Sequence, residues 1–504
     1  MRNTMAIAIT AAIGIAASSA EAVVLNPRGT GQVLIYPYYT VNAGFGTLLS
    51  LVNTTLEGKA LKVHIREGYN GRSVLDFNLY LSPFDAWVAQ IFDTSDGSGG
   101  AAIATNDNSC TVPAFSKAFG AGPGIGPGVA SFSDAGYSGA NADHGPTGPA
   151  RTREGYLEII EMGTVSNAQQ STLSAITHGS SGVPSSCPQV VKAWTTGGYW
   201  TTDATTDIDV PGGGLFGAES IINVGEGLMY TVNAAAIDGF SSVAQHTLPG
   251  SVSPDLSSAS KTSESMVSAF VPVGAGMVEA KFANPEDAIS ALFMADTLYN
   301  EFVVDAGIGV MTDWLVTFPT KRFYTDPAFV SSTTARMPFD AVFGADPNAT
   351  STSCSAVRPQ RFSREELTTS DGIDFTVHPY WMTAAACYAT NVFAFSGGAS
   401  ALASNFVRTG EVFPSVIPAR DVTVVFPAGH ALIDFTKDSS YIDDSNHVLA
   451  STNGISLRGL PAIGFAAIDY VNGNVTPGTL ANYSGAYPHR STVACTASAP
   501  AVCP

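Results

Sequence analysis

The sequence predicts a mainly β protein: an antiparallel β-sandwich, immunoglobulin-like or jelly-roll, with long disulfide-pinned loops and one packed helix. Three observations carry this expectation. Short runs of alternating apolar and polar residues recur along the chain, broken by Asn, Gly and Pro. The apolar runs are rich in β-branched and aromatic residues, which suit a pleated, half-buried surface. The six cysteines are even in number and follow an export signal, which favours disulfides over thiols.

The export signal opens the chain. Arg2 supplies a positive start, Met5 to Ala17 an apolar run, and Ala20-Glu21-Ala22 a cleavage site. Residues 1–22 are therefore expected to be a signal peptide, with the mature chain starting at Val23. Two β-rich regions are expected after it, 23–250 and 251–504, either separate or forming one continuous domain.

Val33 to Tyr39 reads as a first strand, whose Pro37 suits an edge or a bulge. Leu48 to Val52 follows, and then Leu61 to Arg66 alternates cleanly. Leu61, Val63 and Ile65 share one face, and Lys62, His64 and Arg66 share the other, expected to meet solvent. Asn70-Gly71 marks a tight turn before Leu75 to Leu81, and Trp87 to Phe92 is the next strand. From Asp93 to Arg153 glycine dominates and large apolar residues thin out, as in long surface loops. Asp93 and Asp96 in this stretch could offer oxygens to calcium, although the EF-hand spacing is missing.

Tyr156 to Met162 is a compact strand carrying two acids. Glu158 and Glu161 invite a glycosidase reading, but residues three apart on a strand point to opposite faces. One is expected in solvent and the other buried beside Arg151 or Arg153. Trp194, Tyr199 and Trp200 suit a core better than a sugar-stacking surface. Ser251 to Ser265 is a serine-rich connection, either a linker or a loop leading into the next element.

That element is the expected helix, near 284–300. Asn284 supplies a cap, Pro285 the first helical position, and Glu286 and Asp287 the acidic first turn. Ile289, Leu292, Phe293 and Leu298 would form its apolar face. Phe302 to Val304 and Trp314 to Phe318 then return to strand character. Further strands are expected at 377–381, 392–395, 422–426, 431–435 and 464–471.

The cysteines are expected to pair with their sequence neighbours: Cys110 with Cys187, Cys354 with Cys387, and Cys495 with Cys503. The last bridge would staple a segment otherwise prone to fraying. The formal net charge of −19 argues against nucleic acid and anionic lipid as partners, because both reward clustered Lys and Arg. No run is long enough for a spanning helix. G-x-S-x-G, H-E-x-x-H and phosphate-loop motifs are missing from the sequence.

The runs Leu48–Thr55, Ala60–Asn70 with Val74–Trp87, Arg153–Gly163 and Thr312–Tyr324 resemble segments of an uncharacterised family of large exported β-rich proteobacterial proteins. The resemblance implies a secreted β-rich protein and transfers no functional residue. The expected function is therefore structural or adhesive, at the cell surface or outside the cell, through a glycan, a surface partner or self-assembly. The alternative is a secreted carbohydrate-active or other hydrolase, for which Glu158, Glu161, Glu301 and Asp313 are the candidate acids.

Overall fold

The computed structural model describes residues 22–94, 97–115, 128–305, 309–344, 353–364, 384–396, 399–412, 416–418, 423–425, 427–436, 447–471 and 481–504. The expected strand at 377–381 lies outside these residues. Almost every ladder is antiparallel, and the molecule is mainly β as its alternation requires.

A ten-stranded sheet forms the spine. Its order runs Gly276–Phe282, Val267–Val273, Ala22–Leu25, Ala235–Asp238, Val33–Thr40, Glu154–Val165, Gly58–Glu67, Ser73–Leu81 and Cys110–Val112, with Ile208–Asp209 paired onto Glu154–Val165. Facing one end of it is a six-stranded outer sheet: Leu228–Asn233, Leu215–Asn223, Phe45–Asn53, Ala86–Asp93, Ala101–Thr105 and Gly128–Ser131. Leu34, Leu61, Val63 and Leu157 of the large sheet meet Leu51, Trp87, Ile91 and Ile103 of the outer sheet in one apolar core. A third sheet takes Val407–Val412, Thr390–Ala394, Val310–Thr317, Ile463–Tyr470 and Tyr483–Pro488. Its Leu315, Val392 and Phe465 pack on Tyr38, Ile221 and Tyr230.

Pro37 lies in a central strand, not at an edge. The register slips between Gly155 and Leu157 opposite it, so the proline sits at a bulge. The irregularity turns the Tyr38 amide away from the ladder, and that amide donates to Glu219 at 3.1 Å.

The expected helix is shorter than its apolar pattern suggested. It spans Pro285–Phe293, and Leu298 belongs to the strand Thr297–Val303. Asn284 has the extended backbone of a cap but makes no side-chain cap bond; its amide donates to Asp287 Oδ2 at 2.9 Å. Glu286 and Asp287 bind Arg336, at 2.8 and 2.7 Å. Nor is this the one helix. Short helices at Thr172–Ile176, Cys187–Ala193, Tyr199–Thr202 and Arg322–Thr325 also occur, each too brief to show a helical period in sequence.

Three disulfides join sequence neighbours: Cys110–Cys187, Cys354–Cys387 and Cys495–Cys503. The first ties the Cys187–Ala193 helix to the edge of the large sheet. Nearby, Trp200 is buried and stacks on Tyr80 with ring centroids 5.3 Å apart, which is a core role. Among the described residues, no helix is long and apolar enough to cross a membrane.

Candidate functional site

The face of the large sheet bearing Lys62, His64 and Arg66 is not in solvent. All three are buried, because the chain from Phe240 to Ser260 runs across them as a strap. Lys62 Nζ donates to the Leu248 carbonyl at 2.9 Å, and Asn78 Nδ2 to that of Thr247 at 2.9 Å. His64 lies 2.5 Å from Asp76 through Nδ1 and 2.7 Å from the Pro254 carbonyl through Nε2. A His–Asp pair can serve a nucleophile, but here the second ring nitrogen is occupied by the strap. Burial lowers the Lys62 ammonium to about 8. The first part of the serine-rich connection, Ser251 to Ser260, thus forms the second half of the strap. Alternation had separated the two faces correctly; it carries no information about what covers each.

Acids beneath and beside the strap are paired. Glu158 and Glu161 do point to opposite faces, yet both are buried, which corrects the expectation of one in solvent. The strand they share is central and covered on both sides. Neither meets Arg151 or Arg153. Glu158 lies 2.8 Å from Arg66 Nε, an ionic contact rather than a directed hydrogen bond. Glu161 accepts from Lys59 at 2.9 Å and from the amides of Gly212 and Gly213 at 2.9 and 2.7 Å. Burial raises the Glu161 carboxyl, and Lys59 partly offsets this.

Arg151 instead joins Glu67 at 2.8 Å and Asp143 at 2.6 Å, all fully buried, with its guanidinium 4.2 Å from the Tyr137 ring centre. Glu67 also accepts from the amides of Tyr69, Asn70 and Arg72, so one carboxylate holds the whole Asn70-Gly71 turn. Arg153 pairs with Asp93 at 2.8 Å. Asp96 lies outside the described residues.

A second group of acids behaves differently. Where the third sheet meets the outer sheet, Asp313, Asp469, Glu154 and Glu219 are buried and make no ion pair among the described residues. Asp313 accepts from Ser400 Oγ at 2.5 Å and from the Leu402 amide at 3.0 Å, and burial lifts it to about 7. Burial lifts Asp469 to about 6, and its neighbourhood adds to the rise of Asp313. Glu154, held by Asn42, Ser404 and the Asn405 amide, is lifted to about 7 by the same cause. Glu219 is pushed well above its usual range by burial. Carboxyls so placed hold protons near neutral pH, as a general acid does. Of the four candidate acids only Asp313 belongs here. Glu301 is exposed on another sheet, and Glu158 and Glu161 lie further along the strand of Glu154, each beside a cation.

Asp469 is the partner that sequence reasoning missed. The signal was available: like Asp313, it is a lone acid inside an apolar strand run, Ile468-Asp469-Tyr470.

The outer sheet supplies a third feature. Its strands alternate buried and exposed, and the outward face carries Leu48, Val52, Val88, Phe216, Ile222 and Met229 among Gly, Ala, Ser, Thr, Asn and Gln. Cross-strand register places Phe216 beside Val52, Ser50 beside Val88 and Met229 beside Ile222. No residue facing outward on the four strands from Leu228–Asn233 to Ala86–Asp93 is charged.

No family model, curated protein or solved structure matches the chain.

Proposed function

We propose that this is an exported surface or matrix protein that adheres or assembles through its outer sheet and does not act by turnover. The observation that carries this reading is the uncharged outer face on a chain of net charge −19. At 42 acids in 504 residues, random placement would put about one acid on this face, so its distinction is the exposed Leu48, Val88, Phe216 and Met229 standing there without any charge. Exposed, charge-free apolar patches are a feature of surfaces that meet partners. Three disulfides suit folding outside a reducing compartment.

The test compares the mature chain with Val88→Glu by light scattering and by retention on glycan-coated and cell-envelope surfaces. Val88 is 51 % exposed, so the variant folds normally. Assembly or retention by the native chain, lost in Val88→Glu, supports the reading. A native chain that neither assembles nor adheres, but hydrolyses glycosides or esters, overturns it.

That second outcome has its own footing, since the proton-holding pair Asp313 and Asp469 is what a secreted carbohydrate-active or other hydrolase would need. Turnover abolished by Asp313→Asn and by Asp469→Asn would assign the chemistry to them.

A further inference from the structure

A cavity of about 600 Å³ lies where the outer sheet meets the third sheet, within the size range of small-molecule sites. Its walls are mostly apolar, with Phe45, Leu228 and Val310 prominent. Its charged lining is entirely acidic: Asp469, Asp305 and Glu226, with no Lys, Arg or His among the described lining residues.

Asp469 differs from the other two because it is fully buried. Its Oδ1 accepts from the Met311 amide at 2.9 Å. Its Oδ2 accepts no well-formed hydrogen bond, although it is shielded from water. The Tyr230 hydroxyl is the side-chain donor nearest this carboxyl and favours its ionised form, but its better-aligned bond goes to the Ala401 carbonyl at 3.3 Å. An unsatisfied buried carboxylate oxygen costs free energy unless a donor or cation reaches it. Asp313, behind Ser400, adds a second carboxyl and no compensating positive charge.

We infer that this cavity binds a small organic ammonium compound, its cationic head on Asp469 Oδ2 and its carbon body against Phe45, Leu228 and Val310. The apolar walls favour an organic cation over a metal ion. In keeping with this, no group of three or more His, Cys, Asp or Glu is poised to hold a metal among the described residues. The ammonium donates to the ionised Asp469 and so competes with its protonation at lower pH. The site is independent of the outer face, so it stands or falls separately from the surface reading.

The experiment is calorimetric titration of the mature, disulfide-bonded chain with benzylamine and with its neutral analogue benzyl alcohol, at pH 5 and pH 8. Benzylamine binds at pH 8 and binds about tenfold more weakly at pH 5, because Asp469 titrates near 6 and must be ionised to receive the cation. Asp469→Asn, nearly equal in size, weakens benzylamine at pH 8 by at least about tenfold while the circular dichroism is unchanged. Met311→Trp fills the cavity and removes binding with Asp469 intact. Equal uptake of benzyl alcohol, unchanged affinity in Asp469→Asn, or no heat with either compound overturns the proposal.

Discussion

In and around the strap and on the opposite face of the large sheet, buried carboxylates meet cations: Glu158 faces Arg66, Glu161 faces Lys59, Glu67 and Asp143 share Arg151, and Asp255 holds Arg322 at 2.7 Å. Between the third and outer sheets, Asp313, Asp469, Glu154 and Glu219 are as deeply buried and have hydroxyls and amides for company. The protonation states diverge accordingly. Burial alone would raise Asp255, but Arg322 holds it near 2, whereas burial without a cation carries Asp313 to about 7. Depth of burial is not the sole determinant: a neighbouring cation works against it, outweighing it at Asp255 and offsetting it only in part at Glu161. The first region is a charged scaffold locked in place. The second holds protons that it can exchange.

The largest expected effect attacks the paired region. Arg151→Met leaves Glu67 and Asp143 buried without a counter-charge, and breaking such a pair costs roughly 3–5 kcal/mol. Urea unfolding at pH 7 measures it, and a change under about 1 kcal/mol would show that the network is not a determinant of stability.

A sharper contrast comes from making one substitution in both regions. Glu158→Gln strands Arg66 and destabilises by roughly 3 kcal/mol at pH 8. Asp313→Asn strands no counter-ion: its amide oxygen still accepts from Ser400 and Leu402, while its NH2 takes the place of Oδ1, which has no hydrogen-bond partner among the described residues, so it costs much less than Glu158→Gln at pH 8. Loss of stability of similar size in both variants would erase the distinction between the regions.

The pH dependence has opposite signs as well. The folded chain keeps a proton on Asp313 that the unfolded chain releases. That contribution is intact below about pH 4 and is lost as pH rises to about 7. A rise from 3.8 to about 7 corresponds to roughly 4 kcal/mol, which Asp313→Asn removes from the alkaline limb. Asp255 works the other way. Its stabilisation is present above about pH 4 and is lost as pH falls towards 2. Thermal melts from pH 3 to pH 9 should show both limbs, and a flat alkaline limb in the native chain would contradict the protonated state of the second region.

The smallest effect on stability is expected outside both regions. Val88→Glu on the outer face changes stability by no more than about 0.5 kcal/mol, as for most exposed positions. Its consequence falls on association. A large stability loss would mean that something in the chain covers that face.

Much of the architecture was legible from local pattern. Alternation assigned Leu61, Val63 and Ile65 to one face and Lys62, His64 and Arg66 to the other, and the register of Gly58–Glu67 against Glu154–Val165 agrees. A side-chain period of two is a property of the strand alone, so sequence can report it. The helix start at Pro285 was readable for the same reason. Its end was not, because Leu298 continues a helical spacing by coincidence while tertiary pairing with Ala428–Asp434 claims it for a strand. Each disulfide joins cysteines consecutive along the chain, 77, 33 and 8 residues apart, so their order was a fair guide to the pairing.

What sequence left undecided depends on contacts between distant residues. The strap over His64 comes from Pro254, the amides that hold Glu161 come from Gly212 and Gly213, and Asp469 reaches Asp313 across 156 positions of chain. A lone acid in an apolar strand looks the same in sequence whether a cation will meet it or not. By itself the sequence determined a β-rich, acidic chain with paired cysteines and the faces of its strands. Only the tertiary structure decided which buried acids are charged, because that depends on which distant cation, amide or hydroxyl folding brings to each.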